Sequence, residues 1–124
     1  MMFKTKEFAR LAKRTGFSDH DIREICNEIN RGLLGASLGG GLFKKRFARP
    51  GAGKRGGYRV LLCTRFEGRI FLLYVFTKSV RANISAQEQV ALKKLSQVFV
   101  NLAESDLKKL LDLGELISVG DTDE

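Results

Sequence analysis

The chain has 124 residues, enough for one compact domain and too few for two. A formal net charge of +8, from 22 Lys and Arg against 14 Asp and Glu, accompanies a hydrophobic content of 44%. That apolar content excludes a purely disordered tail, and no apolar run reaches the roughly 18 residues that span a bilayer. Met1–Glu7 lacks the apolar stretch of an export signal, so a cytoplasmic protein with Cys26 and Cys63 as free thiols is expected.

In chain order, Lys6–Thr15 reads as a short helix with Phe8, Leu11 and Ala12 inward, ended by Gly16. Ser18 is a helix N-cap, with Asp19 and Asp21 at the positive end of the helix dipole. Ile22, Ile25, Cys26, Ile29 and Leu33 then recur at helical spacing, and Gly32 and Gly35 close the helix. Gly39-Gly40-Gly41 breaks regular structure. Leu42–Ala48 alternates as a strand, with Lys44 and Arg46 on one face and Phe43, Lys45 and Phe47 on the other. A Gly-rich loop, Arg49–Gly57, precedes two apolar strands, Tyr58–Phe66 and Arg69–Thr77, joined by a Glu67-Gly68 turn. Their nearly continuous apolar character implies that both faces of the sheet are covered at their centres. Ser85 and Glu88 form a capping box for a helix that buries Ala91, Leu92, Leu95, Val98, Phe99 and Leu102. A last short helix follows Ser105 and stops at Gly114. The expected fold is a small α+β domain over residues 1–117. It has an antiparallel sheet of three to four strands, two N-terminal helices and a C-terminal helix, and residues 118–124 form a disordered acidic tail.

The charge is segregated. Residues 44–81 hold eleven bases against Glu67 alone, a local excess of +10, whereas residues 82–124 carry −4. A block this one-sided points to an anionic partner more than to a solvated face. Motifs that suggest other chemistry fail on context. Gly51-Ala52-Gly53-Lys54-Arg55-Gly56 matches a dinucleotide-binding pattern, but a strand follows it where a helix N-terminus is needed. The sequon Asn83-Ile84-Ser85 has no secretory context, and Ser85 is committed as a cap. His20, Cys26 and Cys63 have no metal-site spacing, so no metal or other cofactor is expected.

The remaining polar signal is the set Lys44, Arg46, Arg59, Lys78 and Arg81, which an antiparallel sheet can bring to one region. Two readings fit. One is a docking surface that binds RNA or DNA phosphates without chemistry. The other is a metal-free ribonuclease, because RNA carries its own nucleophile in the 2′-hydroxyl. Such cleavage needs a base, positive charge for the phosphorane and an acid for the leaving 5′-oxygen. Arg suits the charge role, and Lys can act as a base where neighbouring positive charge disfavours its protonated form.

The stretch Leu38–Arg46, the block Arg49-Pro50-Gly51-Ala52-Gly53-Lys54-Arg55-Gly56-Gly57-Tyr58-Arg59, Phe76-Thr77-Lys78 and Asn83-Ile84 resemble the RelE/ParE toxin superfamily. Lys4–Arg10 and Leu113–Leu116 extend the similarity, which is nearest to the HigB-like branch of RelE toxins and spans roughly residues 3–117. The resemblance implies the toxin of a type II toxin–antitoxin pair that cuts mRNA on the ribosome and pairs with an antitoxin of helix-turn-helix type. Carried over by motif position, it implies catalytic roles for Lys44, Arg46, Arg59 and Lys78. RNA binding is assigned to Lys45, Arg49, Lys54, Arg55, Tyr58 and Arg81. Many family members have a Tyr or His near the C-terminal end, where this chain has Ile84-Ser85, so Lys78 and then Lys44 become the acid/base candidates. The alternatives are a ParE-like inhibitor of DNA gyrase and a non-catalytic nucleic-acid-binding module.

Overall fold

The computed structural model describes residues 1–48, 57–64 and 68–120. Among these the elements run β1 (Met2–Thr5), α1 (Lys6–Thr15), α2 (Asp19–Asn30), β2 (Ala36–Gly39), β3 (Leu42–Ala48), β4 (Gly57–Thr64) and β5 (Ile70–Thr77). Then come α3 (Ala86–Val100), α4 (Glu104–Asp112) and β6 (Leu116–Val119). The helix starts follow from local capping. The Thr5 hydroxyl accepts from the Phe8 amide at 3.0 Å, and reciprocal capping boxes join Ser18 to Asp21 and Ser85 to Glu88. Gly16, at φ 75°, turns the chain out of α1 in the left-handed region open to glycine.

One six-stranded sheet has the order β2-β3-β4-β5-β1-β6. β2 to β5 form an antiparallel meander. β1 lies parallel to β5, and β6 is antiparallel to β1. The sheet separates two cores. On one face, Phe8, Ile25 and Ile29 of α1 and α2 pack on Phe47, Val60, Leu62 and Leu72. On the other, Leu92, Phe99 and Leu107 of α3 and α4 pack on Leu42, Leu61, Cys63, Phe71 and Leu73. Burial on both faces is what the unbroken apolar runs of β4 and β5 require.

The α+β class holds, and several details differ from expectation. The sheet is mixed and has six strands rather than three or four antiparallel ones, and the expected last short helix is α4, a second C-terminal helix after α3. β1, β2 and β6 each have only four residues; β1 and β6 are stabilised by partners remote in sequence, and β2 by its hairpin with β3. α2 ends at Asn30, leaving Leu33 beyond it and half exposed. Ala91 and Val98 face solvent on α3 rather than the core. Gly39–Gly41 connects β2 to β3 as a hairpin. Ser118 and Val119, expected in the tail, pair with Phe3 and Met2 in the sheet. Glu67 of the expected turn, the loop 49–56 and residues 121–124 lie outside the described residues. No helix among the described residues is long and apolar enough to cross a membrane.

Candidate functional site

β3 alternates as a strand must. Leu42, Lys44 and Arg46 share the sheet face that α3 packs on, and Phe43, Lys45 and Phe47 point towards α1 and α2. Lys44 lies opposite Leu61, and Arg46 lies opposite Arg59. Arg59 in turn lies opposite Phe76 on β5. This face therefore has two halves. The Leu42–Leu61–Cys63 half is covered by α3, and the half bearing Arg46 and Arg59 is not, because α3 starts only at Ala86, after the 78–85 connection. Lys78 begins that connection, and its amide donates to the Gly57 carbonyl at 3.3 Å.

The uncovered half is the floor of a cleft of ≈ 700 Å³. Lys44, Arg46, Arg59 and Lys78 line it together with Leu33, Gly35 and Ala36 on one wall and Ala82 on the other. No carboxylate lines it among the described residues. Arg46 and Arg59 form a like-charge pair directly across two strands, an arrangement that disfavours the sheet unless an anion sits over it. Arg46 and Lys78 are exposed where they line the cleft, and neither side chain makes a hydrogen bond or ion pair among the described residues. Arg59 is steadied by one bond, Nη1 to the Tyr58 carbonyl at 3.3 Å. Lys44 Nζ donates to Asn83 Oδ1 at 3.2 Å. The arrangement gathers fixed donors and positive charge on a floor flanked by short apolar side chains. It suits a phosphate diester with a sugar or base against the walls.

The family model described as RelE toxin of RelE / RelB toxin-antitoxin system matches residues 1–119. The chain belongs to the RelE toxin family. No match is found among curated proteins. Membership gives this RelE-family chain a toxin role and an antitoxin as partner.

In this RelE-family fold, three of the expected RNA-binding residues do other work. Lys45 borders the cleft, but its side chain runs to the opposite face, where Nζ pairs with Glu28 of α2 at 2.8 Å and only 6% of the residue is exposed. The strand alternation already put it with Phe43 and Phe47, so its charge binds a helix and not a ligand. Tyr58 is buried beside its cross-strand neighbour Phe47, with Phe17 packed against both rings, and its hydroxyl donates to the Thr15 carbonyl at 3.0 Å. Arg81 is a clamp. It forks onto Glu88 and donates to Tyr74, and its Nε donates to the Asn83 carbonyl at 2.9 Å. Its guanidinium lies 5.5 Å from the centre of the Phe76 ring. The Arg81 guanidinium, with help from the Ser85 amide, holds the Glu88 carboxyl down at about 2. Burial, reinforced by Glu88, pushes the Tyr74 phenol up. Arg49, Lys54 and Arg55 lie outside the described residues.

Nucleophilic thiol chemistry has no support. Burial pushes both Cys26 and Cys63 up to about 12, and His20 is exposed on α2. Among the described residues no group of His, Cys, Asp or Glu is placed to hold a metal. Two residues at the site were missed in the sequence, Asn83 and Gly35. A polar residue just ahead of the Ser85 capping box is a signal for Asn83. Nothing local distinguishes Gly35 from the other glycines of the 32–41 stretch.

Proposed function

We propose that the basic cleft is an endoribonuclease site, and that the toxin stops translation by cutting mRNA held on the ribosome. The observation that carries this reading is the convergence of Lys44, Arg46, Arg59 and Lys78 on one open cleft with no lining carboxylate among the described residues. Under this reading, Lys78 or Lys44 takes the proton from the RNA 2′-hydroxyl. The 2′-oxygen attacks the adjacent phosphorus, and Arg46 and Arg59 hold the non-bridging oxygens as negative charge grows. The bond to the 5′-oxygen then breaks, the other lysine protonates that oxygen, and a cyclic 2′,3′-phosphate and a 5′-hydroxyl result. The ribosome holds the message in place, so alignment supplies much of the rate and stands in for a strong general base. The family description supports a toxin with an antitoxin partner; the HigB-like branch and a helix-turn-helix antitoxin rest on the motif blocks from Leu38 to Ile84 alone.

The test is in-vitro translation with primer extension on the message. Codon-spaced cuts that vanish in Arg59→Ala and Lys78→Ala are expected. Inhibition of DNA supercoiling without cuts would instead indicate a gyrase poison, and harmless expression without the neighbouring antitoxin gene would overturn the toxin activity of this chain.

A further inference from the structure

Lys44 does not reach the cleft as a free side chain. Its Nζ donates to Asn83 Oδ1 at 3.2 Å, across 39 positions of sequence. Asn83 is itself held on both sides. Its Oδ1 also accepts from the Ile84 amide at 2.9 Å, and its backbone carbonyl accepts from Arg81 Nε at 2.9 Å. Arg81 is tied to Glu88, whose Oε1 also accepts from the Ser85 amide at 2.7 Å and so caps α3. Ile84 is buried in the core beneath α3. An unbroken set of contacts thus runs from the first turn of α3 to one ammonium on the cleft floor. A lysine with four rotatable bonds has many conformers, and a pre-oriented acceptor selects among them.

We propose that Asn83 is a positioning residue for Lys44: anchored through Arg81 and Ile84 to the start of α3, it holds the Lys44 ammonium over the cleft. The inference deepens the ribonuclease reading and rests on it for its kinetic consequence, but not for the contact itself.

NMR on the full chain tests the contact without any RNA. In the wild type the two Hε protons of Lys44, assigned by their loss in Lys44→Arg, are inequivalent and their methylene is motionally restricted. In Asn83→Ala they merge and the methylene becomes as mobile as that of an exposed lysine. Asn83→Asp keeps both acceptances, guards against loosening of the connection, and retains the restriction. An unchanged Lys44 signal in Asn83→Ala, or a freed Lys44 in Asn83→Asp, overturns the proposal. In the cleavage assay Asn83→Ala lowers kcat by ~100-fold, the scale of a roughly 1 Å misplacement, at unchanged KM. It adds no further loss in a Lys44→Ala background. A full additional loss in that background also overturns it. If the wild type cuts no message, the ribonuclease reading fails, and the NMR arm still decides the role of Asn83.

Discussion

Gly35→Ala perturbs the wall of the cleft at a position with no room. A Cβ on Gly35 would stand 2.3 Å from the Lys44 carbonyl oxygen and 2.8 Å from the Lys45 Cα. Both are backbone atoms of β3, so no rotamer change relieves the clash, and the 35–36 segment must lift from the strand. Gly35 also sits at φ +87°, and Gly32 has the same φ with nothing within 4 Å of its notional Cβ. The two glycines form a matched pair. Gly32→Ala carries only the left-handed backbone cost, about 1–2 kcal/mol. Gly35→Ala carries that cost plus overpacking of about 1–3 kcal/mol. The sum, about 2–5 kcal/mol, is a large share of the total stability of a small domain. Urea unfolding of both variants, compared at equal m, measures the difference. Equal destabilisation by the two substitutions would refute the claim that β3 and the residues before β2 are in forced contact. Because the displaced atoms belong to Lys44 and Lys45, Gly35→Ala should also lower cleavage more than Gly32→Ala does.

Arg46→Ala should reduce cleavage by ~100-fold or more, as loss of a charge-stabilising donor does. It should leave stability unchanged or raise it by up to about 1 kcal/mol by relieving the Arg46–Arg59 opposition; a drop in the urea midpoint would contradict a pair kept for a ligand. Its binding to single-stranded RNA should also lose about 0.7 from the slope of log K against log salt, whereas Lys108→Ala should change neither slope nor cleavage. Glu88 has a folded-state value of about 2 against an ordinary 4.5. Its contribution is therefore fully present above the ordinary value and is lost as pH falls towards the folded one. Thermal melts across that window should show a shallower acid limb for Glu88→Gln than for the wild type, and parallel limbs would refute the clamp. Cys26 and Cys63 should resist a thiol reagent at about pH 8 in the native state and react only after denaturation.

Much of the architecture is written in short-range pattern. The bounds of α1 and β3, the capping residues Ser18, Ser85 and Glu88, and the apolar character of β4 and β5 follow from neighbours within four positions. The alternation of β3 separates Lys44 and Arg46 from Lys45, which is enough to place the first two on a common face and the third among Phe43 and Phe47. The concentration of basic residues between 44 and 81, and the family resemblance of the motif blocks, were likewise legible.

Tertiary structure decided the rest. The short strand β1 is recognisable only by its partners β5 and β6, and the Thr5 hydroxyl bonds to the Leu73 carbonyl 68 positions away. A bulge in β5 puts Leu73 and Tyr74 on one side, against simple alternation. The same non-local pairing gave Lys45 its Glu28, Tyr58 its Thr15 and Lys44 its Asn83. A sequence specifies local conformation through adjacent residues, so helices, caps and strand faces can be read from it. Which cations meet an internal carboxylate and which stay open to a ligand depends on where α2 and α3 lie on the sheet, and packing between remote segments sets that.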